Sequence, residues 1–180
     1  DVFGTPDMTK EEVEEAVRET IARAGVSIDA AEGILLNGPI QGGVHGDLRA
    51  KSAVGMAEHG FGVHPIGGIV PLMERQRYRE LVEIILACRE HIPWNRPVHI
   101  FGCGHPHLFP ICVALGADLF DSAAYALFAR DDRMLMPWGT VKLGDLAEFP
   151  IATEALAGHT PASVMALADD ARCELLARHN

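Results

Sequence analysis

Short apolar runs recur along the chain, each closing on glycine or a polar residue, with helical patterns between them. The first element is polar and amphipathic. Thr9-Lys10-Glu11-Glu12 has the form of a capping box and predicts a helix to about residue 24. GILLNGPIQGG, residues 33–43, reads as a short strand breaking into a glycine-rich turn. A helix pattern over 47–59 leads to GFGVHPIGGIV, residues 60–70, again a strand and then Gly-Gly. One long helix is predicted over 71–91, a third strand in RPVHIFGCGHP (96–106), a helix over 108–115 and a fourth strand in ADLFDSA (117–123). After residue 132, RMLMPWGTVKLGDLAEFP predicts an excursion with a hairpin, and Thr160-Pro161 opens a last helix.

Alternation of strand and helix at this spacing is the pattern of parallel βα units. Strands apolar on both faces need helices over both. Right-handed crossovers place every strand's C-terminal end on one face, where α/β proteins carry their chemistry. The polar and glycine residues fall at those ends: Gln41-Gly42-Gly43, Gly67-Gly68, Gly102-Cys103-Gly104 and Asp121-Ser122. The predicted fold class is therefore α/β, a partial (β/α)8 TIM barrel made of the last four strands. Residues 1–132 read as the half-barrel, and 133–180 as an insertion with the final helix. A full barrel takes roughly 250 residues, and half of one leaves raw sheet edges, so a segment of a longer chain is expected.

Composition narrows the reading modestly. With 180 residues, 48% apolar, the chain can bury a proper core. A net charge of −10, with three Lys beside twelve Arg, disfavours a chain-wide phosphate-binding surface but leaves room for a local basic patch. No apolar run approaches the ~18–20 residues of a membrane span. Cys88, Cys103, Cys112 and Cys173 are scattered, with no zinc-knuckle or disulfide spacing. A cytoplasmic location and no membrane partner are expected.

Each strand-end residue has two readings. Asp121 is either the N-cap of the next helix or a carboxylate aimed into a site, where it could hold a covalent glycosyl intermediate. Gln41 is a turn residue or, through its amide, a reader of a heterocycle edge. Gly67-Gly68 is close packing or a source of bare N–H groups for a carbonyl of a flat ligand. His64, His99, His105 and His107 lack metal spacing and read as structural.

Taken together, NGPIQGG…DLRAKSA, FGVHPIGGIVPLMERQRYRELVEIIL, RPVHIFGCGHP and ALGADLFDSAAYALFARDDR resemble the archaeal tRNA-guanine transglycosylase family, and LAEFP and LLARHN extend the match. The resemblance covers nearly the whole chain. It implies a (β/α)8 barrel with a zinc-bearing insertion, and exchange of guanine in the tRNA D-loop for preQ0, a 7-deazaguanine, on the way to archaeosine. By the same resemblance Asp121 is the nucleophile at ribose C1′. Gln41, Gly67 and Gly68 hold the base, and Asp1 reads its Watson–Crick edge. The family's general acid/base aspartate falls before Asp1. The isolated chain is thus expected to be inactive without the other barrel half, supplied in cis or by a separate chain. The implied partners are tRNA, with Arg130, Arg133 and Lys142 as candidate contacts, the guanine or preQ0 base, and a second copy in a homodimer.

One departure stands out. The family's FPCxCPVC is FPIATEAL here (149–156), so the three thiolate positions fall on Ile151, Thr153 and Leu156, and only the histidine, His179, is retained. One imidazole cannot hold structural zinc, so no metal or other cofactor is expected. The alternative function is a non-catalytic or archaeosine-synthase-like tRNA-binding module derived from the same family.

Overall fold

The computed structural model describes residues 1–148 and 156–180. They form two compact units, Asp1–Cys103 with Ile111–Asp121, and Gly104–Pro110 with Ser122–Asn180.

The first unit opens with α1 (Lys10–Asp29), which buries Val13, Ala16, Val17, Thr20 and Ala24 along one stripe. The predicted capping box is present. Thr9 Oγ1 accepts from the Glu12 N–H at 3.3 Å, and Glu12 Oε2 accepts from the Thr9 N–H at 2.8 Å. The helix runs past residue 24, through Gly25. A helical glycine costs about 1 kcal/mol but does not by itself end a helix.

Next come α2 (Gly46–Ala57), β1 (His64–Ile66), α3 (Val70–Glu74), α4 (Tyr78–Arg89), β2 (Val98–Ile100), α5 (Phe109–Ala114) and β3 (Leu119–Phe120). The three strands form a parallel sheet in the order β1-β2-β3. The strand expected within 33–43 is reduced to two isolated parallel bridges, Asn37 to Val63 and Ile40 to Ile66. Pro39 lies between them and has no N–H to give the ladder. Gly38 and Ile40 still donate to Val63 O and Pro65 O, at 2.8 and 2.7 Å, so this segment extends the sheet beyond β1. The succession is thus parallel and sequential, as expected. Ile40, Ile66 and Ile100, in register across it, are fully buried.

The single helix predicted over 71–91 is instead two helices. At the break Gln76 adopts φ +56°. Its N–H bonds Met73 O at 3.1 Å, and the Arg77 N–H reaches back to Leu72 O at 2.8 Å. That pair of bonds is a Schellman stop, here with glutamine where glycine is usual. The helix predicted over 108–115 is present as α5, with a 3-10 turn at Pro106–Leu108 leading into it.

In the second unit, α6 (Ala124–Arg130) precedes the expected hairpin, β4 (Arg133–Met136) against β5 (Gly139–Lys142). Met134, Met136, Leu143, Leu146, Leu156, Val164 and Leu176 share one apolar cluster. Thr160 does cap a helix starting at Pro161, but α7 (Pro161–Met165) is a single turn or so, and α8 (Asp169–His179) is separate. Ala168, with extended backbone, interrupts the two. None of the four cysteines is in a disulfide. Among the described residues no helix is long and apolar enough to cross a membrane.

Candidate functional site

Gln41 follows directly on the Ile40 bridge and is completely buried. Its backbone N–H donates to Ser52 Oγ at 3.1 Å, which fixes the main chain. Its side-chain Nε2 donates to Asp1 Oδ2 at 2.7 Å. Its Oε1 is buried with no hydrogen-bond partner. A buried acceptor left bare costs about 1–3 kcal/mol, so Oε1 has room for a partner from outside the chain, a water or a ligand.

The amide lies against the Gly-Gly turn at the end of β1. A Cβ on Gly67 would stand 2.6 Å from Gln41 Nε2, so no other residue fits there without moving the amide. Gly68 has φ +69°, and a Cβ on it would meet Gly4 O at 3.0 Å and Gln41 Oε1 at 3.3 Å. Asp1, Gln41, Gly67 and Gly68, four residues selected from distant parts of the sequence, therefore converge.

The sequence reading missed the residue that ties this corner together. Arg49 on α2 is fully buried. Its Nε donates to Gly43 O at 2.9 Å, and its Nη1 donates to Ile40 O at 2.9 Å and to Gly67 O at 2.8 Å. One guanidinium thereby clamps the turn after the Ile40 bridge to the turn after β1. Burial pushes the Arg49 pKa down. Burial also pushes the Cys88 thiol, in the same interior, up to about 12, so it stays protonated and uncharged beside the cation. Nothing in the local pattern of DLRAKSA separates this arginine from an exposed helical one. Only its carbonyl partners, brought by tertiary structure, do so.

Asp121 sits immediately after β3. It is not a helix cap. The N-cap of α6 is Ala123, and the Ala124 N–H goes to Ser122 Oγ at 3.0 Å. Asp121 Oδ1 instead accepts the Gly102 N–H at 3.1 Å, from the end of β2. The side chain is 58% exposed, and His99 Nε2 lies 3.0 Å from the same oxygen. His99, which reads as structural in the sequence, thus lies against the Asp121 carboxylate. His64 does match that role: it is buried, edge-on to Phe61, with its pKa pushed down chiefly by burial.

The basic candidates lie in the second unit. Arg133 and Lys142 face each other across β4 and β5. Arg133 Nε is paired with Asp131 at 2.6 Å, so part of this patch is neutralised. Arg130, exposed, closes α6.

The zinc-ligand positions can be tested in part. Ile151 and Thr153 lie outside the described residues. Leu156 is fully buried in the apolar cluster with Met134, Leu146 and Val164. His179 Nε2 donates to Leu135 O at 3.2 Å. A hydrocarbon and an imidazole already engaged do not offer the N/S donor set that zinc takes, so the residues present do not fit that metal.

In its first unit the protein is a parallel α/β structure that places Gln41, Gly67-Gly68 and Asp121 at the C-terminal ends of neighbouring strands, where such sheets meet small ligands. The queuine tRNA-ribosyltransferase family model matches residues 1–180, and the chain belongs to that family. It is 48% identical to a tRNA-guanine(15) transglycosylase of Methanocaldococcus jannaschii, with the whole chain aligned to 28% of that protein. Proteins of the same name from Methanococcus vannielii and Thermococcus onnurineus are 46% and 43% identical over the whole chain, which spans 29% and 31% of their lengths. The chain therefore spans somewhat under a third of the relatives it matches.

Proposed function

We propose that this chain is the part of a tRNA-guanine transglycosylase that holds the nucleobase and carries the nucleophile. The observation that carries the reading is Gln41. It is a wholly buried amide with one end anchored on Asp1 and the other, Oε1, bare beside Gly67-Gly68. A guanine or preQ0 edge offers the donor that such an acceptor lacks, and Asp1 and the Gly68 backbone supply complementary groups around it. Exchange of guanine for a 7-deazaguanine requires recognition of the pyrimidine edge the two share. Gln41 and Asp1 are suited to that edge.

Asp121 is the nucleophile in this reading. Two strand spacings of about 4.8 Å separate β1 from β3, so a base beside Gly67-Gly68 leaves its ribose toward Asp121. A carboxylate oxygen forms a bond to C1′ as the C1′–N9 bond breaks. Guanine leaves with the electron pair and takes a proton from the family's second aspartate, which falls outside this chain. The incoming preQ0 gives its N–H proton to that second aspartate, now a carboxylate, its nitrogen attacks C1′, and the Asp121 carboxylate departs with its electrons restored. The target nucleotide must be unstacked for C1′ to be reached. The chain supplies four consecutive barrel strands in this account. The remainder of the barrel is in the rest of the protein or in a partner chain, and a homodimer is the expected assembly. Arg130, Arg133 and Lys142 are the proposed tRNA phosphate contacts, and no zinc takes part.

The relatives are named for base exchange, which favours the enzyme over a non-catalytic binding module. The test follows release of labelled guanine from tRNA by the full natural protein on addition of preQ0. Wild type releases label and Asp121→Asn does not. Binding of tRNA without release by wild type would move the reading to the binding module.

A further inference from the structure

His99 and Gly102 lie on one strand and its exit, and both address a single oxygen of Asp121. Parallel pairing of β2 with β3, His99 opposite Leu119 and Ile100 opposite Phe120, brings the three together. Gly102 N–H donates to Oδ1 at 3.1 Å, and His99 Nε2 is 3.0 Å from Oδ1. Among the described residues Oδ2 takes no hydrogen bond. The imidazole is 16% exposed and packs edge-on to Phe101, ring centroids 4.8 Å apart, so it cannot swing away freely. Its Nε2 is at contact distance from the carboxylate but not aligned with it as a hydrogen bond, and it has no other partner. A buried donor of this kind is satisfied when the exposed carboxylate turns a little toward it.

We propose that His99 is a positioning residue for Asp121: its Nε2–H and the Gly102 N–H hold Oδ1, so that Oδ2 is the oxygen that attacks. This rests on the transglycosylase reading above and deepens it. In the glycosyl-enzyme ester, Oδ2 is bonded to C1′ and Oδ1 is the carbonyl oxygen. When the incoming base nitrogen attacks C1′, the C1′–Oδ2 bond breaks and its electron pair returns to the carboxylate. Negative charge then redevelops over both oxygens. The Gly102 N–H, already on Oδ1, and the His99 Nε2–H, brought onto it by a small turn of the carboxylate, stabilise that departing carboxylate with little reorganisation. The effect is largest on the second displacement, because the same donors also temper the free carboxylate in the first.

The experiment uses the full natural protein and compares His99→Phe, His99→Met and His99→Gln with wild type. Exchange rate, KM for tRNA, and the fraction of protein held as covalent tRNA adduct are read together. The expected result for the Phe and Met variants is a drop in kcat of about 10²-fold, the scale of a misplaced reacting group. KM for tRNA stays near wild type, and the adduct fraction rises. Gln, which keeps an N–H donor, restores most of the rate. Equal rates for Met and Gln, or a lower adduct fraction in Met, would overturn the proposal. If Phe fails to fold by thermal melt, the Met–Gln comparison still decides. Failure of the parent reading looks different: wild type itself then exchanges no base.

Discussion

Gln41 Nε2 donates to Asp1 Oδ2 across 40 residues of sequence, at 2.7 Å. The bond orients the amide so that Oε1 faces the Gly67-Gly68 turn. Gln41→Glu replaces that donor with a second carboxylate oxygen and sets two acidic groups against each other. The expected outcome is a rise in the Kd for free preQ0 of about 10-fold or more, from the loss of one buried hydrogen bond and the added repulsion. Gly67→Ala, whose Cβ would strike the same amide, has the same direction of effect with the fold retained. Isothermal titration with preQ0, alongside thermal melts, checks both.

Arg49 makes a separate prediction. Removing the guanidinium in Arg49→Met leaves Gly43 O without its Nε–H donor and Gly67 O without its Nη1–H donor. At about 1–3 kcal/mol per bare buried carbonyl, offset by no longer burying a cation, a net loss of roughly 2–4 kcal/mol is expected. Urea denaturation measures it. Arg49→Lys recovers only part, because an ammonium cannot span three carbonyls as a planar fork does.

Much of the sheet was legible in the sequence because its cause is local. Apolar runs ending in glycine at βα spacing read as parallel strands, and Thr9 with Glu12 read as a helix start. Asp121 read as a strand-end carboxylate with two competing roles, and of these the structure removes the helix cap, since the side chain turns to the Gly102 N–H instead. The rest depends on residues that act against their type. Gln76 ends a helix in a conformation glycine usually takes, so no stop signal stood at 75–77. Pro39 breaks a ladder whose apolar pattern looks continuous. Arg49 and His99 take their roles from groups 6 to 22 positions away, which no window of the sequence displays.

Acid weakens the fold through His64. Burial holds its pKa below the ordinary 6.5, so the folded protein keeps it neutral. Unfolding lets it take a proton below about pH 6.5. Its contribution is complete above that value and is lost as pH falls toward the folded-state pKa. Thermal melts from about pH 8 to about pH 5 should show wild type losing stability relative to His64→Gln as acid increases.

A buried Leu156 at a position where the family has a thiolate predicts indifference to chelators. Leu156 is fully buried among Met134, Leu146, Val164 and Leu176. Leu156→Ala should cost about 2–5 kcal/mol, the usual range for a buried leucine truncation. Prolonged EDTA treatment should leave the wild-type melt unchanged. A melt lowered by chelator and restored by zinc would contradict the apolar account.

The most direct test of the central claim is the mass of the protein after denaturing quench from tRNA and nuclease digestion. The account predicts a ribonucleotide adduct on the peptide that carries Asp121, absent in Asp121→Asn and discharged when preQ0 is added before the quench. An adduct on another carboxylate, or base exchange by wild type that proceeds at full rate in Asp121→Asn, would contradict it.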